Sequence, residues 1–136
     1  MKKSNVLIVF ISIFLLSIIA YSKNSNGIYD SDLLSDKIEV VDWKFYVASR
    51  VAILYNLTLE NKSSHTFEDI KIKVNYYSTY PSAYGKKIGQ QAKLLNIKLP
   101  PNSRKTFFKE GYPIGAGSQG LIAKNLEIIS AKVVEN

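Results

Sequence analysis

From residue 38 onward, apolar and polar side chains alternate with a period of two, the spacing that sends neighbours to opposite faces of a β-strand. Val41, Trp43, Phe45 and Val47 alternate with Asp42, Lys44 and Tyr46. Val51, Ile53, Tyr55, Leu57 and Leu59 then alternate with Ala52, Leu54, Asn56, Thr58 and Glu60, which predicts a second and more deeply buried strand. Asn61-Lys62-Ser63-Ser64 supplies turn chemistry, after which Ile70, Ile72, Val74 and Tyr76 alternate with Lys71, Lys73, Asn75 and Tyr77. The register of this third strand is strongly specified. A slip of one residue would drive Lys71 and Lys73 into the core without partners.

Ile88 to Leu99 reads as one strand with a face switch, because Ile88, Ala92 and Leu94 share one parity and Leu95, Ile97 and Leu99 the other. A bulge near Leu94 and Leu95 would reconcile the two sets. Pro100-Pro101 ends that strand, since proline cannot donate to a ladder, and Thr106 to Phe108 predicts a short further one. Asn125 to Val134 is strand-like with another parity shift. Six to seven strands, with no 3.6-residue period after the N-terminal segment, predict an all-β fold: an antiparallel β-sandwich with an immunoglobulin-like layout. A closed barrel is the structural alternative.

The N-terminus is organised differently. Lys2 and Lys3 precede the uncharged run Val6 to Ala20, interrupted only by Ser12 and Ser17. As a helix these residues span about 23 Å, short of the hydrocarbon core of a bilayer. Residues 1–22 are therefore read as a signal peptide, Ala20-Tyr21-Ser22 supplying the small-x-small pattern for cleavage, with a retained membrane anchor as the alternative. The chain is then exported: periplasmic, extracellular or membrane-anchored facing outward. Residues 23–37, rich in Ser, Asn and Asp, read as a flexible linker, and residues 38–136 as the β-sandwich domain.

Composition narrows the chemistry. With no cysteine there is no disulfide and no thiolate site, and with one histidine no cofactor or metal is expected. Taking Lys2, Lys3 and Lys23 from the 18 basic residues leaves 15 against 11 acids, a balance too weak for a nucleic-acid partner. Asp30, Asp32 and Asp36 lack the further ligands of a calcium loop, because Leu34 and Ser35 stand where a third ligand and a glycine belong.

Three motifs carry the letters of known chemistry without its context. Gly115-Ala116-Gly117-Ser118-Gln119-Gly120 fits G-x-G-x-x-G, but the chain ends sixteen residues later, with no room for the helix and second parallel strand of a dinucleotide site. A flexible glycine loop is the expectation. Ser63, Ser64, His65 and Asp69 spell a hydrolase triad, yet such triads depend on geometry between separated segments. Glu68 and Asp69 are sequence neighbours on a strand, so their carboxylates point to opposite faces. The sequons at Asn56 and Asn61 matter only in a glycosylating pathway. No catalytic residue is assigned and the chain is not expected to be an enzyme.

The succession Leu54-Tyr55-Asn56-Leu57-Thr58-Leu59-Glu60-Asn61-Lys62-Ser63, Val74-Asn75-Tyr76-Tyr77, Gly85-Lys86-Lys87-Ile88-Gly89, Leu99-Pro100-Pro101-Asn102-Ser103 and Phe107 resembles the FxLYD-type exported bacterial immunoglobulin-like domain over roughly residues 50–134. In the name-giving stretch Val74, Tyr76 and Ser78 depart from the family pattern and Tyr77 agrees. The resemblance implies a sandwich fold without assigned catalytic activity, and it carries over no functional residue.

Tyr76 to Lys87 remains, with four tyrosines, one proline and two lysines at the tip of a hairpin. Tyrosine gives a broad apolar face and a hydroxyl at modest entropic cost. Tyr76, Tyr77, Tyr80, Tyr84, Lys86 and Lys87 are therefore the candidate binding residues, with a partner that is a protein or an anionic envelope polymer. Against this stands a cap, in which Tyr76, Tyr80 and Tyr84 fold over the end of the core. The expected role is an exported, non-enzymatic binding module working through loop tips or a sheet edge. The alternative is a structural or accessory subunit of a surface assembly.

Overall fold

The computed structural model describes residues 27–135; the segment read as a signal peptide lies outside them. Eight strands form two antiparallel sheets: β1 (Ile28–Asp30), β2 (Ile38–Ala48), β3 (Val51–Asn61), β4 (Thr66–Ser78), β5 (Lys87–Leu99), β6 (Ser103–Phe107), β7 (Tyr112–Ala116) and β8 (Leu121–Val134). One sheet runs β1-β8-β4-β5, and the other runs β2-β3-β6 with β7 also paired to β3. The closed barrel is not formed. Among the described residues no helix is long and apolar enough to cross a membrane, and helix is limited to Ser31–Leu34 and a 3₁₀ turn at Pro81–Ala83.

The core lies between the sheets. Leu54, Leu57 and Leu59 of β3 belong to one buried cluster with Ile70, Ile72 and Val74 of β4, Leu95 and Leu99 of β5, and Ala131 and Val133 of β8. Each such Leu, Ile or Val contributes about 1.5–3 kcal/mol on burial, whereas exposed pairs such as Arg104–Glu60 are screened by solvent and contribute little. Hydrophobic packing therefore decides the fold. In β4 it does so as the alternation predicts: Ile70, Ile72, Val74 and Tyr76 are buried, Lys71 is exposed, and Lys73 reaches Glu127 at 2.9 Å.

Three faces differ from the sequence reading. Along β2, Val41 is 39% exposed while Ile38 is buried and Val40, Trp43 and Phe45 pack on the core, the register shifting between Val40 and Lys44. Along β3 the buried set changes parity, from Ala52 and Leu54 to Leu57 and Leu59. The switch is made at Asn56, whose φ is +50°, a conformation asparagine tolerates better than most side chains. Its amide donates to the Phe108 carbonyl at 3.1 Å, where the chain jogs from β6 to β7. One edge of β3 can thus hold β6 over Leu57–Asn61 and β7 over Val51–Leu54. Along β5 the expected face switch is absent. Odd-numbered residues face inward throughout, leaving Ile88 and Leu94 50% and 47% exposed. The register shifts where Asp69, with φ +49°, stands opposite Asn96 and Ile97, and it is β4 whose buried set changes parity there, from Phe67 to Ile70.

The packed body also begins earlier than the alternation indicates. From Gly27 on, the stretch read as linker supplies β1, which pairs with Ser130–Lys132 of β8, and Leu34, which is fully buried in the core. Leu34 belongs to a four-residue helical turn and has no period-two neighbours to announce it.

At the far end from the tyrosine hairpin, Asn61 ties three segments together. Its side-chain amide donates to the carbonyls of His65 at 2.7 Å, Pro100 at 2.9 Å and Leu99 at 3.3 Å. Its Oδ1 accepts from the amide and hydroxyl of Ser63 at 2.9 and 2.8 Å. The Asn61 sequon is therefore a buried structural knot, and the Ser63 hydroxyl is committed to it.

Candidate functional site

Three connections meet at one end of the sandwich: the β2–β3 turn at Ser49-Arg50, the β4–β5 hairpin at 79–86, and the β7–β8 loop at 117–120. Their meeting follows from local chemistry. Strand β4 runs on through Tyr76 and Tyr77 to Ser78, so the hairpin tip is shorter than the tyrosine-rich stretch. Within the tip, Tyr80 N donates to Ser78 Oγ at 3.2 Å, Gly85 N to the Ser78 carbonyl at 2.9 Å, and Lys86 N to the Ala83 carbonyl at 3.0 Å. Thr79 N donates to the Gly120 carbonyl at 2.8 Å and the Tyr80 hydroxyl to the Gln119 carbonyl at 3.0 Å. Hairpin and glycine loop thus form one hydrogen-bonded unit. A surface held this way loses less entropy on binding than a loose loop would.

The six sequence-derived candidates separate here. Tyr76 does not reach the surface: it is 5% exposed, its ring lies 5.7 Å from that of Phe45, and burial pushes its phenol above the ordinary range. Its hydroxyl has no protein partner among the described residues. Tyr77 is half-buried on the outer face of β4, with the Lys124 ammonium 5.3 Å from its ring centroid. Tyr80 is 54% exposed while its ring lies across Gly120, and Tyr84 is 74% exposed. Lys86 and Lys87 are exposed beside them. Tyr76 thus belongs to the core, whereas Tyr84 projects outward.

The glycine motif has a packing explanation. A Cβ on Gly117 would lie 2.8 Å from Val47 Cγ1 and 3.0 Å from the Ala52 amide nitrogen. A Cβ on Gly120, where φ is +74°, would meet the Tyr80 ring at 2.5 Å. These glycines let strand ends and a ring approach closely, with no helix following them.

Sequence reasoning missed three residues at this end. Ser49 and Arg50 form a two-residue hairpin turn in which both have positive φ, +47° and +66°, a geometry normally filled by Asn-Gly. Without glycine the turn gave no signal. The Arg50 carbonyl accepts from Gly117 N at 2.8 Å, and Val47, Ser49, Arg50, Gly117, Ser118 and Gln119 line a cleft of about 470 Å³. Lys124, the other residue missed, has no local sequence signal at all.

The charge around this end is one-sided. Residues 46–53, 76–89 and 112–125 contain Arg50, Lys86, Lys87 and Lys124 and no Asp or Glu. Elsewhere some basic residues meet acids: Lys62 with Glu39, Lys98 with Glu68, Arg104 with Glu60 and Lys73 with Glu127. The hydrogen bond from Lys73 holds the Glu127 carboxyl below the ordinary range, with smaller help from the Asn75 amide and from Lys87. Compared with family models, with curated proteins and with solved structures, the chain finds no match.

Proposed function

We propose that this chain is an exported, non-enzymatic binding module that contacts a protein or an anionic envelope polymer through the loop tips at the Tyr84 end of its sandwich. The observation that carries the reading is the acid-free end itself, with four basic side chains around exposed Tyr80 and Tyr84 on a hydrogen-bonded hairpin. Positive charge with no acid close by in the three turns speeds capture of anions, and exposed tyrosine adds contact area. The proposal includes an immunoglobulin-like layout and membership of the FxLYD-type family, supported by the two antiparallel sheets. Export rests on the N-terminal pattern of Lys2, Lys3 and Val6 to Ala20.

The test is retention of the full-length chain on envelope material from the source cells. Replacing Tyr84, Lys86 and Lys87 together by serine is expected to cut retention about tenfold, equivalent to about 1.4 kcal/mol. Replacing Lys105 and Lys109, exposed on the β6 side, is expected to leave it unchanged. Equal loss in both variants would contradict the reading.

A second reading has its own support. Strand β1 covers β8 only at Ser130–Lys132, so the outer edge of Leu121–Ile129 has no strand partner among the described residues. An uncovered edge can accept a strand, which suits a structural or accessory subunit of a surface assembly. Light scattering that stays monomeric up to high concentration would count against it.

A further inference from the structure

We infer that the cleft between the Ser49-Arg50 turn and Gly117–Gln119 takes an acidic sugar unit of a linear glycan, with Arg50 paired to its carboxylate or phosphate ester. The inference rests on the binding-module reading and names the ligand class for one part of that end.

The turn is the first argument. A two-residue hairpin with both φ values positive is relieved by Asn-Gly, yet this chain places Ser and Arg there, both in a backbone region that costs side-chain-bearing residues free energy. That strained turn places Arg50 in the lining of the cleft. No acid pairs with Arg50 among the described residues, and residues 43–59 contain none. A guanidinium free of internal partners presents its planar fork to a carboxylate or phosphate.

Shape and lining select the rest of the ligand. At about 470 Å³ the cleft is far larger than a bare anion needs and falls among pockets that hold small organic molecules. Its lining also includes Ser49, Ser118 and Gln119, residues with hydroxyl and amide side chains, around small Gly117, with apolar Val47. Hydroxyls and an amide both donate and accept, which suits the alternating hydroxyls of a sugar ring. An acidic peptide fits less well. The Gly117 amide is already spent on the Arg50 carbonyl and Val51 pairs with Ala116, so this cleft offers no open ladder to an extended backbone. Tyr80 fixes the far wall through its bond to the Gln119 carbonyl. Nearby Lys86, Lys87 and Lys124 supply charge for further units of the polymer.

The experiment is calorimetric titration of the full-length chain, held in non-ionic detergent, with short oligogalacturonate and with a phosphorylated oligosaccharide. The comparison probes are the oligogalacturonate methyl ester, inorganic phosphate and oligoglutamate. Binding of either acidic saccharide, at least tenfold tighter than any comparison probe, supports the inference and tells carboxylate from phosphate. Arg50→Gln is expected to weaken it at least tenfold, and Arg50→Lys to fall between. The double change Ser49→Asn with Arg50→Gly is expected to raise the unfolding midpoint while abolishing binding, which separates loss of the ligand contact from loss of the fold. No acidic saccharide binding, equal binding of oligoglutamate, or an Arg50→Gln variant that titrates like the parent overturns the inference. Retention on envelope material that still depends on Lys86 and Lys87 would leave the binding-module reading standing in that event. Saccharide binding without envelope retention would do the reverse.

Discussion

The ring of Tyr80 lies across Gly120 so closely that no side chain fits between them, a Cβ on the glycine falling 2.5 Å from the ring. This contact, with the hydrogen bond from the Tyr80 hydroxyl to the Gln119 carbonyl, locks the hairpin tip to the glycine loop. Gly120→Ala must move the ring and also strain a residue at φ +74°. The expected cost is about 1–3 kcal/mol, measured by urea unfolding. An unchanged midpoint would show that the two loops are not locked.

Tyr76 gives a prediction of opposite sign. Its buried hydroxyl has no protein partner among the described residues, so Tyr76→Phe keeps the packing and removes a polar atom. The variant is expected to be more stable by about 1 kcal/mol. Burial raises the folded phenol above its unfolded value, so the neutral form's contribution is intact below the ordinary value of 10.0 and is lost as pH rises through the folded value. In alkaline unfolding curves the parent should therefore lose stability that Tyr76→Phe keeps.

The Asn61 side chain makes five hydrogen bonds and the residue is 1% exposed. Asn61→Ala removes the donor to the His65, Leu99 and Pro100 carbonyls and the acceptor of the Ser63 amide, and the expected loss is about 3 kcal/mol. Thermal unfolding measures it. Asn61→Asp should also destabilise, because it replaces the donating amide while leaving the shape alone.

On the acid side, the Lys73–Glu127 bridge sets the sign. The folded Glu127 value lies below its ordinary 4.5, so the bridge contributes above that value and is lost as pH falls through the folded one. Glu127→Gln is therefore expected to flatten the parent's loss of stability below pH 4.5 in denaturant titrations. The pair is half-exposed, so the effect should shrink in high salt.

How much of this could be read from the chain depends on the residue. β4 was legible because Ile70, Ile72 and Val74 alternate strictly with charged or polar neighbours, and only one register keeps Lys71 and Lys73 out of the core. β3 was half legible: its apolar residues are too dense to betray a parity change at Asn56, which depends on how β6 and β7 divide one edge. Ile88 and Leu94 misled because their exposure reflects the position of β5 at the edge of its sheet, which no local pattern records. Within the candidate site, Tyr80, Tyr84, Lys86 and Lys87 stood out by composition. Arg50, Ser118 and Lys124 did not, since only the sandwich brings residues seventy positions apart to one end.

The most direct measurement is hydrogen–deuterium exchange of the full-length chain with and without envelope material from the source cells. The account predicts slowed exchange confined to the turns at 49–50, 79–87 and 117–120, lost on replacing Lys86 and Lys87 by serine. Slowed exchange at the Asn61 end, or none at all, would contradict it.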